Sequence, residues 1–311
     1  MSVQKNLQSV DALDIPPAPN TAQSRRPALV RMGSSIWAML TANKKIAIGS
    51  GSVAFFLLIA LIGPFFLPYD PTAFSSALKA PPSSAHWLGT ATSGQDIFSQ
   101  LIYGTRSSIF WSFLTGLFVV AISVVVGLIG GYFGGVIDEV LTLVTNIFLL
   151  TPSLVVAIIA VSYFPRTPLT IAIVIVSTHW CFNARVLRAQ TLSMRSREFV
   201  TAARASGETT GRIIFAEILP NEIGIVAASF VSTVIFVILA WSALEFLGLG
   251  DPNSVSWGSM LYWASQSGAI FGGQWWWFVP PGLCIAALGA SLTLINIGID
   301  EVIDPRLRIA K

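Results

Sequence analysis

The chain has 311 residues, of which 54% are hydrophobic and 11% are charged, and its formal net charge is +3. Because a soluble domain carries about a quarter of charged residues, this composition excludes an ordinary water-soluble protein and predicts an integral membrane protein. Cys181 and Cys284 lie in apolar runs, which predicts small buried residues rather than a disulfide or a metal framework.

The first 43 residues contain no long apolar run and are expected to form a tail outside the bilayer. Residues 1–24 are polar and rich in proline, which predicts disorder. Residues 28–42 could form a short helix on the membrane surface, and an unstructured tether is the alternative. No secretory signal opens the chain, so the first apolar segment is expected to be retained as an anchor.

Residues 44–311 are predicted to be an all-α domain with six membrane spans, because a span needs about 20 apolar residues and a helix satisfies its own backbone in lipid. The spans are Ile46–Leu67, Ser108–Gly130, Val140–Phe164, Thr167–Ala184, Ile223–Leu244 and Trp275–Ile299. Pro64, Pro152 and the Pro280-Pro281 pair are expected to kink helices or to start them.

The distribution of lysine and arginine predicts the orientation of these spans. Of 18 such residues, six lie in residues 1–45, six between spans four and five, and three at the C-terminus. Alternating spans place these three regions on one side, so both termini and the segment 185–222 are expected in the cytoplasm. The segment 68–107 is then expected outside.

The segment 185–222 is polar and rich in helix formers. Gly207 is expected to break a helix or to let another backbone approach, and Pro220 lies where span five begins. Two short helices with a small alanine face (Ala202, Ala203) would project from the bilayer. Such a projection suits a groove on a cytoplasmic partner, and an ordinary solvated loop is the alternative.

The same residues resemble the coupling loop of binding-protein-dependent ABC importers, which has two alanines, a glycine and a Leu-Pro before a span. The flanking sequences "EFVTAARASG" and "RIIFAEILPN" look most like permeases for dipeptides, oligopeptides and nickel. Further blocks resemble this subgroup in the same order: "HWLGT…GQDIFSQLIYGTRSS" (86–108), "GGYFGG" (130–135), "EFLGLGDP" (245–252), "SWGSML" (256–261) and "IDPRLR" (303–308). The chain is most similar to the second of the two permeases.

This resemblance implies a type I permease fold in the cytoplasmic membrane and a role in peptide import. It implies as partners a second permease, two ATPase subunits and an extracytoplasmic binding protein, and no nucleic acid. The residues that would contact the ATPase are Glu198, Ala202, Ala203, Arg204, Gly207, Leu219 and Pro220. No glycine-rich loop ending in Gly-Lys-Ser/Thr occurs in the sequence. ATP and magnesium are therefore expected on the ATPases, and this chain is expected to hold no cofactor and not to be an enzyme.

The chain departs from the family's usual charges at several positions. Thr201 and Trp241 stand where the family usually has an acid, and neutral residues replace two charge pairs, at Ala91 with Gln95 and at Leu143 with Asn146. Losing both members of a pair is physically coherent, because one member alone would be a stranded charge at low dielectric. These departures predict an outlying branch and weaken any transfer of substrate detail.

Four polar residues in or near the spans are candidates for the solute path: Asn146, His179, Asn183 and Glu245. Each has an alternative, since Asn146, His179 and Asn183 could bridge helices and Glu245 could pair with a neighbour or reach interfacial water. One histidine without carboxylates makes a poor metal site, so none is predicted. Nickel or another small solute remains an alternative to peptides. Remote alternatives are a membrane anchor or sensor that docks a cytoplasmic partner, and an intramembrane enzyme.

Overall fold

The computed structural model describes residues 43–303, and the side chains of residues 43–301. The predictions for the N-terminal tail, the surface helix at 28–42 and most of the block at 303–308 lie outside the described residues. Within the described range every regular element is a helix, apart from one isolated β-bridge between Thr90 and Asp96. The all-α prediction is confirmed for this range.

The helices, in chain order, are α1 (Lys44–Ile62), α2 (Ile97–Phe133), α3 (Gly135–Leu150), α4 (Ser153–Tyr163), α5 (Pro168–Met194), α6 (Glu198–Ala205), α7 (Thr210–Phe246), α8 (Trp257–Gln266) and α9 (Trp275–Ile303). A 3₁₀ turn, Gly63–Phe66, extends α1, and a π-helical stretch, Ile213–Ile218, lies in the first turns of α7.

Five of these helices are individually long and apolar enough to cross a membrane: α1, α2, α5, α7 and α9. The predicted third span is divided into α3 and α4, which meet at an angle of 82° and pass the same test together. The break lies at Pro152, which precedes the first residue of α4 and has extended backbone angles. Proline lacks the N–H that a continuous helix would need, so the predicted effect of Pro152 on this span is confirmed.

Three spanning helices, α2, α5 and α7, are much longer than their predicted spans, and α7 begins at Thr210 rather than at Ile223. α2 begins at Ile97, where Asp96 caps it by accepting a 2.8 Å hydrogen bond from the Ser99 N–H. α5 continues to Met194 rather than ending at Ala184. Parts of the segments 68–107 and 185–222 are therefore helical, because helix propensity and capping continue past the point where the apolar pattern ends.

α2 and α5 make the most extensive helix contact among the described residues, and small side chains let the two helices approach closely. A Cβ added at Gly127 would lie 2.7 Å from the Leu187 Cβ, and one at Gly131 would lie 2.6 Å from the Thr191 Cβ. The Ser123 hydroxyl donates to the Trp180 carbonyl across the same contact at 2.7 Å. This stripe on α2 follows the small-xxx-small pattern that lets membrane helices approach closely.

α6 and α8 lie at opposite ends of α7, so the bundle has an α6 end and an α8 end. At the α8 end, the segment 67–96 packs on α8 and on the start of α9. The shared apolar cluster includes Ala91, Ile97, Met260, Ala264 and Trp277, all of them buried.

Candidate coupling site and solute path

The end of α6 explains why a glycine stands at position 207. Gly207 has φ of +78°, its N–H donates to the Arg204 carbonyl at 3.0 Å, and the Glu208 N–H donates to the Ala203 carbonyl at 3.1 Å. These two bonds form a Schellman motif, in which the residue after the helix adopts the left-handed conformation. A Cβ at Gly207 would meet nothing within 4 Å. Within this chain, the left-handed conformation is therefore what requires glycine, and no other backbone of the described residues approaches it.

One side of α6 is anchored in the chain's own core. Val200 is buried, and Phe199 and Ala203 are half-buried against a cluster formed by α2 and the start of α7. The buried members of that cluster are Leu128, Val200, Ile213, Ile214 and Ile218. The two predicted alanines thus have different surroundings, since Ala203 contacts this cluster and Ala202 is exposed.

The opposite side of α6 is an exposed face of small and polar residues. It contains Glu198, Thr201, Ala202 and Ala205, which recur at the spacing of one helical face. Glu198 lies in the first turn of α6 and Arg204 in the last, which suits the helix dipole. The side chains at the centre of this exposed face are small, which is the shape that insertion into a groove requires.

Arg204 ties α6 to the end of α2. Its Nε donates to the Tyr132 hydroxyl at 3.2 Å, and its guanidinium carbon lies 5.0 Å from the centroid of the same ring. A cation over an aromatic face is attracted by the ring quadrupole. Arg204 therefore positions α6 on α2, in addition to lying at the rim of the exposed face. The contact itself was not predicted from the sequence, because Tyr132 precedes Arg204 by 72 residues.

Leu219 and Pro220 lie where α7 changes from π-helical to α-helical geometry. The Leu219 N–H donates to the Ile214 carbonyl, five residues earlier, which is the π-helical spacing. Pro220 has no N–H and its ring would collide with a carbonyl four residues earlier in a regular helix. The wider π turn accommodates the proline without breaking α7, while Leu219 is half-buried against the α6 cluster.

A buried carboxylate one turn after Ile218 of the α6 cluster was not predicted from the sequence. Glu222 is fully buried, and its Oε1 lies 3.0 Å from the Thr191 hydroxyl, also fully buried, near the end of α5. Close by, Asp138 of α3 and Arg188 of α5 form an ion pair in which the Arg188 Nη2 donates to the Asp138 Oδ2 at 2.6 Å. Polar contacts thus join α3, α5 and α7 next to the helix that is expected to move.

The four candidate path residues lie in three separate places. Asn183 donates to the Thr233 hydroxyl at 2.7 Å and bridges α5 to α7. His179, one turn away, stacks on Phe236 with the ring centroids 3.7 Å apart. Both side chains are thus occupied by contacts within the chain.

Asn146 and Glu245 have different environments. The Asn146 Oδ1 accepts from Arg185 at 2.8 Å, beside a cavity of about 270 Å³ between α3 and α5. Glu245 lies at the α8 end, where it is buried and accepts a 2.5 Å hydrogen bond from the Ser256 hydroxyl. Among the described residues, no group of three or more His, Cys, Asp or Glu side chains could hold a metal ion.

Comparison with known proteins identifies the family. Residues 123–309 match the family described as "Binding-protein-dependent transport system inner membrane component", and residues 32–82 match the "N-terminal TM domain of oligopeptide transport permease C". The chain is 32% identical over 301 residues to the oligopeptide transport system permease protein OppC of Bacillus subtilis, covering 94% of this chain and 96% of that protein.

Two dipeptide permeases are similarly related. The identity is 32% over 288 residues to the dipeptide transport system permease protein DppC of Bacillus subtilis, covering 91% of this chain and 88% of that protein. The chain is also 31% identical over 284 residues to DppC of Haemophilus influenzae, covering 88% of this chain and 94% of that protein. The family expected from the coupling-loop residues is confirmed. The chain belongs to the binding-protein-dependent transport system inner membrane component family, and it is a multi-pass permease subunit of an ABC importer.

Proposed function

We propose that this chain is the second permease of an ABC importer that carries peptides across the cytoplasmic membrane. The observation that carries the proposal is similarity along nearly the whole chain to proteins named as dipeptide and oligopeptide permeases. Its partners are a second, homologous permease, two ATPase subunits and an extracytoplasmic binding protein. ATP and magnesium are bound by the ATPases, and the chain itself carries no cofactor and catalyses no reaction.

The α6 end faces the cytoplasm in this proposal, as do both termini. The exposed face of α6 inserts into a groove on an ATPase subunit, and the opposite face stays on the apolar cluster. Because that cluster includes residues of α2 and α7, a displacement of α6 is transmitted to two spanning helices. Coupling of this kind requires different contacts in the two states of the transporter.

Residues along α3, α5 and α7 then line the solute path, with Asn146, His179, Asn183 and Glu245 as its polar members. Asn183 and Glu245 make hydrogen bonds within the chain, so they set helix positions as well as polarity. The cavity beside Asn146 and Arg185 is also lined by Thr142 and Thr145, so polar residues lie in its otherwise apolar wall.

The test is uptake of a labelled oligopeptide by the complete transporter in proteoliposomes with ATP. The Ala202→Trp variant places a bulky ring on the exposed face of α6 and is expected to lower ATP-driven uptake more than ten-fold. Ala85→Trp, at an exposed position of the opposite end, is the matched control and should leave uptake unchanged. Undiminished uptake by the Ala202→Trp variant would contradict the coupling role of α6. Uptake of nickel but of no peptide would contradict the assignment of peptides as the substrate.

A further inference from the structure

A long groove between α1, α2 and α7 is apolar along its whole length except at one end. Its volume is about 560 Å³, within the range of roughly 300–1,000 Å³ that is typical of sites for small molecules. Leucine and phenylalanine side chains such as Leu57, Phe113 and Phe230 form most of the wall. Among the described residues that line the groove, Arg106 is the only polar or charged one.

The groove begins at the level where the α8 end meets the membrane surface. A Cβ added at Gly63, directly after α1, would lie 2.6 Å from the Ile102 Cγ2, so α1 ends level with the turn of α2 that precedes Arg106. Tyr103, in the same turn, is 41% exposed, and exposed tyrosines favour the membrane–water interface. Arg106 therefore lies at the level of the lipid head groups, which belong to the outer leaflet in the proposed orientation.

The groove is as deep as one leaflet of the bilayer. Its α2 wall runs from Arg106 to Leu117, a rise of about 16 Å at about 1.5 Å per residue. The hydrocarbon core of a bilayer is about 30 Å thick, so each leaflet contributes about 15 Å. Side chains along the groove, including Leu61, Phe110 and Leu117, are more than half exposed. A lipid acyl chain would therefore fit along the groove from the head group to the bilayer centre.

Arg106 carries a charge that the described residues leave uncompensated. Its side chain is exposed, and its guanidinium forms no ion pair or hydrogen bond with the other described residues. Asp70 lines a surface groove beside Tyr103, but its Oδ1 accepts from the N–H and the hydroxyl of Thr72 at 2.8 and 2.6 Å. Arginine presents a planar fork of donors that matches a phosphate, and its apolar stem can lie along the groove wall.

We propose that this groove binds an anionic phospholipid, with the lipid phosphate on the Arg106 guanidinium and one acyl chain along the apolar wall. An acyl chain needs no hydrogen-bond partner there, whereas the backbone of an extended peptide would lose its own. A zwitterionic lipid brings an ammonium group that balances its phosphate, so it neutralises the arginine charge less well. A lipid bound here contacts three spanning helices, whatever solute the transporter carries.

The experiment maps lipid contacts by photo-cross-linking. The complete transporter is placed in nanodiscs of phosphatidylcholine that contain a lipid probe with a diazirine in one acyl chain, and the labelled residues are identified by mass spectrometry. Phosphatidylglycerol is the anionic probe and phosphatidylethanolamine is the zwitterionic one. The expected result is labelling of the groove residues on α1 and α2 that is at least three-fold higher with the anionic probe.

Two pairs of variants test the contacts. Arg106→Gln removes the charge and should lower groove labelling by the anionic probe about 3–10-fold. Arg166→Gln is the matched control, since Arg166 is exposed at the same end but donates to the Gly248 carbonyl at 3.2 Å and does not line the groove. Leu57→Trp fills the groove and should lower labelling by both probes at least three-fold. Leu58→Trp, at an exposed position of α1 outside the groove, should not.

Three results would overturn the proposal. Equal labelling of the groove by both probes would contradict the role of charge, and so would unchanged labelling of the Arg106→Gln variant. If that variant does not assemble, the comparison of the two probes on the wild type decides the question. Absence of groove labelling would be the third result, and cross-linking of a Leu61→Cys thiol to the second permease would then show that protein rather than lipid covers the groove.

Discussion

Replacing Gly207 by alanine isolates the conformational requirement at the end of α6. The left-handed backbone costs a residue with a Cβ about 1–2 kcal/mol relative to glycine. No steric term adds to this cost, because the new Cβ would meet nothing within 4 Å. A loss of this size raises the population of the opened helix end about 5–30-fold.

Hydrogen exchange on the assembled transporter measures that population directly. The amides of Ser206 and Glu208, which donate to the Ala202 and Ala203 carbonyls, should exchange about 5–30-fold faster in the Gly207→Ala variant. Gly207→Val should lower peptide uptake further, since a β-branched residue is a stronger outlier in this conformation.

Gly211→Ala is the matched control. A Cβ at Gly211 also meets nothing within 4 Å, but its backbone is not left-handed, so the variant should be neutral or slightly stabilising. Equal exchange rates in the wild type and the Gly207→Ala variant would refute the reasoning. So would an acceleration of the same size in the Gly211→Ala variant, because the effect would not then depend on φ.

Three further predictions concern contacts between helices. Tyr132→Phe removes the hydroxyl that accepts from Arg204 but keeps the aromatic ring. The variant should destabilise the packing of α6 on α2 by about 0.5–1.5 kcal/mol, measured as faster hydrogen exchange of the α6 amides. Unchanged exchange rates would contradict this prediction. Gly127→Ala crowds the contact between α2 and α5 and should lower the free energy of unfolding by about 1–3 kcal/mol. Gly289→Ala is the control, because a Cβ there meets nothing within 4 Å. Equal thermal stabilities of the two variants would contradict this prediction. Asp138→Asn leaves the Arg188 charge without its carboxylate and should lower the unfolding temperature more than the double variant Asp138→Asn/Arg188→Gln does; a larger loss in the double variant would contradict it.

The number and order of the spans were predictable because long apolar segments have few alternatives in a chain of this composition. The break at Pro152 followed from the missing N–H of proline. The start of α2 and the end of α5 were not predictable from hydropathy. These turns lie outside the apolar segments, and only the Asp96 cap at the start of α2 and the contact of Thr191 with Glu222 near the end of α5 show that the helices extend this far.

The coupling segment was predictable in outline from local chemistry, since Gly207 marks the end of a helix wherever the rest of the chain lies. The packing of α6 on the bundle was not predictable, because it depends on α2 residues that are far away in the sequence. The partner of Asn183 could likewise be expected only as some polar group on another helix. Thr233 fills this role because α5 and α7 pack side by side, 50 residues apart in sequence.

The structure shows what surrounds the positions where the resemblance led us to expect charge pairs. Ala91 is fully buried in the apolar cluster at the α8 end, a place where a single charge would be costly. The Gln95 Oε1 accepts from Gln100 and from Ser93, and the Asn146 Oδ1 accepts from the Arg185 guanidinium. Two of these four positions thus make side-chain hydrogen bonds, and which partners they find depends on tertiary contacts that spacing alone does not fix.

The most direct measurement of the central claim is the sidedness and partner of Ala202. An Ala202→Cys variant, with Cys181 and Cys284 replaced by serine, is treated in sealed right-side-out vesicles with an impermeant maleimide and then with a short thiol cross-linker. The account predicts that the thiol is labelled only after the vesicles are opened, and that it cross-links to an ATPase subunit. Labelling in intact vesicles, or cross-linking to the extracytoplasmic binding protein instead, would contradict it.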